Sequence, residues 1–277
     1  VLDTVGRHGA IRFEFEREGA RTVLARSSCS SPWHYVPPSY LDDSGCAYTW
    51  LVNPSGGLVG GDQVTAEARL HAGTHVLMTS PSANRVYRTL SEPAVQEVRL
   101  SVGSNARLEW VPEVTIPFAG AQFRQSIHVD LAPGATIILW DAIASGRVAR
   151  GERWEFAGLD NEIHIRTASG NSVIDRMHVS QATAGTMAKG WDYVASLFVI
   201  GDGIGDRRLG RSKDYLEDLL ERWPGEVLGG VSEPAVPGLA VKLITRSAPA
   251  LSAVLEAARA EIRAVLWNVN TPTLRRY

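Results

Sequence analysis

Along most of the chain, apolar positions recur at every second residue. In "IRFEFERE", Ile11, Phe13 and Phe15 alternate with charged neighbours, a period of two that sends one set of side chains to each face of a strand. The same reading covers "CAYTWLV", "VTAEARLH", "HVLMTS", "AVQEVRLSV", "ARLEWV", "FRQSIHVDL", "TIILWD", "RWEFAG", "EIHIRTA" and "SVIDRMHV". Gly, Pro, Asn, Asp or Ser separates most of these runs. The pattern predicts a mainly β protein, with many short strands in packed sheets forming one elongated β domain over residues 1–277. No motif recurs at a fixed interval of ~20 to 50 residues, so a repeat architecture is not indicated.

The period changes to that of a helix twice, both times in the C-terminal third. "SKDYLEDLLERWPG" reads as a helix capped by Ser212 and stopped at Pro224 and Gly225. "SAPALSAVLEAARAEIRAVLW" has Ser247 as N-cap and Pro249 in its first turn. Its apolar stripe is Leu251, Val254, Leu255, Ala258, Ile262, Val265 and Leu266, which suits packing on a sheet. Two further strands, "GEVLGGVSE" and "LAVKLITRS", lie between the helices.

Composition narrows the function classes. With 44% hydrophobic and 21% charged residues the chain is of globular type. A net charge of −2 argues against nucleic-acid binding through bulk charge. The two cysteines, Cys29 and Cys46, can neither complete a zinc site by themselves nor staple a fold of this size. They fit a reducing, cytoplasmic setting. No apolar h-region of a signal peptide is visible, and no apolar run approaches the ~20 residues of a membrane span.

The catalytic templates are mostly unmet. There is no G-x-S-x-G elbow and no H-E-x-x-H. "GDRRLGRS", Gly205 to Ser212, approaches a phosphate loop but has Arg211 where Lys is required. His71 and His75 are four apart, yet Gly73 between them predicts a turn joining two strands rather than a shared helix face. A metal-dependent hydrolase or a nucleotide-binding regulator on a β-rich fold are the alternatives these fragments leave open.

Four blocks in order point elsewhere: "NPSGGLVGGD", "SANRVYRTL", "ARLEWVPEVTIPFAGA" and "WDAIASGRVARGE". Together they closely resemble the urease accessory protein UreD (UreH) family, over roughly residues 10 to 277. Glu113 and Val114 stand where the family usually has Gln and then an acid or similar polar residue, and "SGR" stands for "LGR". The resemblance implies a mainly β fold and no enzymatic activity. It implies a scaffold that binds apo-urease and bridges it to UreF and the GTPase UreG, with no tightly bound cofactor but with nickel in transit through an internal channel.

Within that resemblance, Asp62, Asp141, Asp175 and His75 match family positions and are the candidates for a transient nickel path. Carboxylate oxygens hold nickel more weakly than imidazole or thiolate, so they let it leave again. Each acid also has a purely structural reading. Asp62 can close the turn after the glycines, Asp141 can accept a strand-end hydrogen bond, and Asp175 can pair with an arginine. The two late helices and the tail, with Trp267, Arg275, Arg276 and Tyr277, are the expected docking surface for UreF.

Overall fold

The computed structural model describes residues 8–184 and 190–274. In chain order the strands are β1 (His8–Glu18), β2 (Arg21–Cys29), β3 (His34–Ser39), β4 (Ala47–Val52), β5 (Gln63–Leu70), β6 (His75–Thr79), β7 (Asn84–Val86), β8 (Ala94–Val102), β9 (Arg107–Trp110), β10 (Thr115–Pro117), β11 (Gln122–Leu131) and β12 (Thr136–Ala144). After them come β13 (Gly158–Arg166), β14 (Ser172–Ser180), the short α1 (Gln181–Ala184), β15 (Tyr193–Ile200), α2 (Asp206–Glu221), β16 (Val227–Ser232), β17 (Gly238–Thr245) and α3 (Ala248–Trp267).

The strands form two sheets. One has seven strands in the order β14-β13-β11-β8-β5-β1-β2. The other has ten, with β16-β17-β15-β12-β9-β6-β4-β3 as its main path. From β4 to β13 the chain passes back and forth between them, so neighbours within a sheet run parallel. Ala66, Val98, Ile127 and Ile163 stack in register in the first sheet, and Ala47, Val76, Leu108 and Ile137 in the second. The coils differ in length and share only their inward apolar positions, which is why no repeat is visible in the sequence. Antiparallel hairpins occur at the ends of the first sheet, β1–β2 and β13–β14, where short turns replace the crossover.

Burial follows strand parity. Phe13, Phe15, Val98, Ile127 and Ile163 from one sheet meet Val76, Leu108, Ile137 and Leu139 from the other in a core between the sheets. The opposite face of the ten-stranded sheet carries Tyr48, Leu77, Ile138, Trp140 and Val199, covered by α2 and α3. β12 is therefore buried on both faces, which accounts for its unbroken apolar run "TIILW".

The helices refine the expectations. Ser247 caps α3, accepting from the Ala250 amide at 3.3 Å. Of the predicted stripe all but Val265 are buried, and Val265 packs at the margin of the same core. α2 starts at Asp206, six residues before the expected cap. Ser212 is instead buried inside the helix, and "GDRRLGRS" forms its first turns rather than a loop. "RWEFAG" is not a strand, since β13 begins only at Gly158. His71 and His75 do flank a turn, at the end of β5 and the start of β6.

A buried charge cluster fastens α3 to the sheet. Glu109 on β9 is fully buried and pairs with Arg263 and, at 3.4 Å, with Arg259. These two arginines are four apart and share one helix face. Arg263 also donates to Asp42 at 2.8 Å and to the Tyr48 hydroxyl at 2.9 Å, while Arg259 reaches Glu256 at 2.8 Å. His75 on β6 meets Glu109 at 3.1 Å. Burial pushes the Glu109 carboxyl up, but the His75 hydrogen bond and the charges of Arg263 and Arg259 outweigh it and hold the group below its ordinary range.

The glycine-rich segment 53–62 is a close-packed turn. A Cβ on Gly57 would lie 2.4 Å from the Arg85 carbonyl oxygen, and one on Gly60 3.0 Å from that of Glu92. Leu58 exchanges backbone hydrogen bonds with Arg85 and Tyr87, at 2.7 and 2.8 Å. The glycines thus let two backbones approach, without wrapping a phosphate.

Two outcomes follow for stability. Glu109→Gln removes the fully buried negative charge that two buried guanidinium groups share, leaving Arg263 with Asp42 and Arg259 with Glu256, and lowers unfolding free energy by about 3–5 kcal/mol in denaturant titration. Gly57→Ala forces the Arg85 strand outward and costs about 1–3 kcal/mol by the same measurement.

Candidate functional site

Polar residues stand on the inward, apolar parity of several strands at one level of the inter-sheet space. In the seven-stranded sheet Gln96, Gln125 and Asn161 are register neighbours on β8, β11 and β13. Facing them in the ten-stranded sheet, Asp141, Ser196 and Lys242 are register neighbours on β12, β15 and β17. Asp175 on β14 joins from the sheet edge.

Asp141 is the acceptor on which this layer converges. Gln125 Nε2 donates to its Oδ1 at 2.9 Å and Asn161 Nδ2 to its Oδ2 at 2.7 Å. Gln96 donates to the Gln125 carbonyl at 2.9 Å, and Asn84 to that of Gln96 at 3.4 Å. No cation contacts Asp141 among the described residues. Burial therefore dominates and raises its pKa; the amide hydrogen bonds oppose the rise and the nearby Asp175 charge adds to it. Asp175 is handled differently. It pairs with Lys242 and accepts from Ser196 Oγ at 2.9 Å, so its cation is a lysine rather than the expected arginine.

Beside this layer lies a cavity of about 70 Å³, room for several water molecules. Asp141, Gln125, Gln96 and Asn84 line one side, and Asn53, Gly56 and Gly57 of the glycine-rich turn form part of the wall. Glu113, one of the departures from the family pattern, lines it too.

The four residues singled out from the sequence do not all meet here. Asp141 and Asp175 are brought together. Asp62 is buried, but its Oδ2 accepts from the Val59 amide at 2.9 Å while its own amide donates to the Val59 carbonyl at 3.1 Å. It closes the glycine turn and is not among the cavity-lining residues. His75 lies on the opposite parity of its strand, toward the helices. Burial lowers its pKa against the pull of Glu109, and Trp267 covers its ring at a centroid distance of 4.9 Å. Cys46, His75 and Glu109 have ligand atoms within 4.8 Å of one another, but Arg259 and Arg263 already supply positive charge there, and burial drives the Cys46 thiol well above its ordinary range. That arrangement disfavours a further cation.

Of the expected docking residues, Trp267 packs on its own sheet against His75 and Arg107. Arg275, Arg276 and Tyr277 lie outside the described residues. Among the described residues no helix is long and apolar enough to cross a membrane.

Gln125, Asn161 and Gln96 were missed from the sequence, although each interrupts an apolar parity: Gln125 falls between Phe123 and Ile127, Asn161 between Leu159 and Ile163, and Gln96 between Ala94 and Val98. That interruption was the available signal.

The family model described as UreD urease accessory protein matches residues 7–276. A urease accessory protein UreD of Delftia acidovorans is 31% identical over 271 residues, 91% of this chain and 88% of that protein. One of Deinococcus radiodurans is 38% identical over 206 residues, 73% of this chain and 74% of that protein. One of Cupriavidus pinatubonensis is 30% identical over 278 residues, covering 96% and 92%. These relatives carry the name of an accessory protein, not of a catalyst. By the near-complete family match and by these identities, the chain belongs to the UreD urease accessory protein family.

Proposed function

We propose that this chain is a urease maturation factor. In this reading residues 1–277 act as one unit in the cytoplasm, binding apo-urease together with UreF and, through it, the GTPase UreG. The chain holds no resident cofactor and catalyses no reaction. Nickel is its cargo, passed toward the urease active site through the polar layer between the two sheets.

The observation that carries this reading is Asp141, a buried carboxylate held by amides alone beside a cavity with room for water. Buried carboxylates are ordinarily paired with a cation, as Glu109 is. A divalent ion entering the layer supplies the positive charge that Asp141 lacks and gains oxygen ligands in return. Carboxylate and side-chain amide oxygens bind nickel less strongly than imidazole or thiolate, which keeps the ion mobile. Asp175 adds a second carboxylate, with Lys242 as the counter-charge the ion must displace. The path is thus proposed on Asp141 and Asp175; Asp62 supports it only by shaping the glycine turn, and His75 belongs to the helix-docking cluster. The segment that approaches a phosphate loop forms the N-cap and first turns of α2, which does not favour the nucleotide-binding alternative.

Co-expression of the tagged chain with UreF, UreG and apo-urease tests the reading. Asp141→Asn is expected to co-purify with its partners as the parent does, while nickel-dependent urease activation falls roughly tenfold, the factor that ~1.4 kcal/mol of lost cation stabilisation gives. Activation at the parent level by both Asp141→Asn and Asp175→Asn would remove the layer from the path. Asp62→Ala is expected instead to lower thermal stability along with activation.

A pH series checks the charge state of Asp141. Its raised pKa means that the folded protein holds this proton more tightly than the unfolded chain. The stability so gained is present below the unfolded carboxylate pKa of about 3.9 and is lost as pH rises through the folded value. Relative to Asp141→Asn, the melting temperature of the parent should fall as pH is raised from about 4 to 7, read by thermal unfolding of both proteins side by side.

A further inference from the structure

We propose that the outer face of the seven-stranded sheet carries a surface site for a borderline divalent cation, nickel or zinc, formed by His128, His164 and Glu162. The inference stands apart from the interior path, because none of its residues borders the inter-sheet cavity.

His128 on β11 and His164 on β13 are direct register partners across parallel neighbouring strands. Both point away from the core, since Ile127, Val129, Ile163 and Ile165 take the inward parity. Their rings lie 6.1 Å apart, edge to face. Glu162 precedes His164 by two residues and so shares its face. One ligand atom from each of the three lies within 4.8 Å of the other two. A cation bonded to imidazole nitrogen at about 2.0–2.1 Å draws its ligands closer than this, and half-exposed side chains on a rigid sheet can make that adjustment by rotamer alone.

The hydrogen bonding distinguishes this group from other histidines of the chain. His71 is held by Glu14 at 2.8 Å, His75 by Glu109 at 3.1 Å, and His178 by Asp160. Neither His128 nor His164 hydrogen-bonds a protein atom among the described residues. Arg176 donates to Glu162 Oε2 at 2.7 Å, which orients the carboxylate and leaves Oε1 as the oxygen for a cation. Two imidazoles and one carboxylate, with the remaining positions open to water, suit nickel, zinc or copper rather than magnesium or calcium.

Calorimetric titration of the full chain with nickel chloride, and separately with zinc chloride, tests the site. The parent is expected to show one saturable event that His128→Ala or His164→Ala weakens by at least the ten- to hundredfold that losing even an outer partner of a metal ligand costs. The double variant should lose the event, with an unchanged melting temperature showing that the sheet is intact. His71→Ala, in the separate Glu14–Glu16–His71 group on the β1 side of the sheet, should bind as the parent does. Absence of saturable binding by the parent, parent-like affinity in the double variant, or loss of the event in His71→Ala would each overturn the proposal. Such an outcome leaves the interior path untouched, because that path is read by urease activation in Asp141→Asn.

Discussion

A carboxylate removed from water must find compensating charge or hydrogen bonds, and this requirement organises both faces of the ten-stranded sheet. The sheet buries one acid toward each neighbour layer and satisfies the two in opposite ways. Glu109, toward the helices, sits between Arg259 and Arg263 with His75 alongside, and its carboxyl is pulled below the ordinary range. Asp141, toward the second sheet, receives only amide hydrogens and is pushed above it. The first arrangement holds the ion pair shut and fixes α3, β9, β6 and the Asp42 loop to one another. The second leaves a negative site that a cation can still improve.

That difference separates a rigid joint from a more yielding layer. A closed ion pair is costly to open, because removing either partner strands the other in low dielectric. It therefore suits a joint between layers. A carboxylate held by neutral amides is soft by comparison: its partners are reorientable dipoles, and the adjacent cavity offers room for water. The proposed passage of nickel draws on that softness, because oxygen ligands hold the ion weakly.

Much of the secondary structure was legible along the chain. "IRFEFERE", "FRQSIHVDL" and "EIHIRTA" became strands because their alternation matches the pleat, and the Ser247-capped helix formed as its stripe and cap predict. Errors arose where local signals were weak or competed. Ser212 looked like a cap, yet packing of Leu216, Leu219 and Leu220 on the sheet extends α2 upstream and buries it. β2 and β3 carry many exposed positions and little alternation, so they escaped notice. The parallel, two-sheet winding was also hidden, because its coils share parity but no common motif.

The sequence alone determined what each strand could bury, where α3 begins, and that the glycines of residues 53–62 permit close backbone approach. Its ordered blocks also identified the family. Only the tertiary structure decided which polar residues meet. Asp141, Gln125 and Asn161 are far apart in the chain and lie on three strands in two sheets; register aligns Gln125 with Asn161, and the packing of the two sheets brings both to Asp141. His75 and Asp141 both matched family positions along the chain, but strand parity sends one toward the helices and the other between the sheets. A side chain's face depends on a one-residue choice of register, and that choice is settled by the burial of every neighbouring strand together, not by the residues of the site themselves.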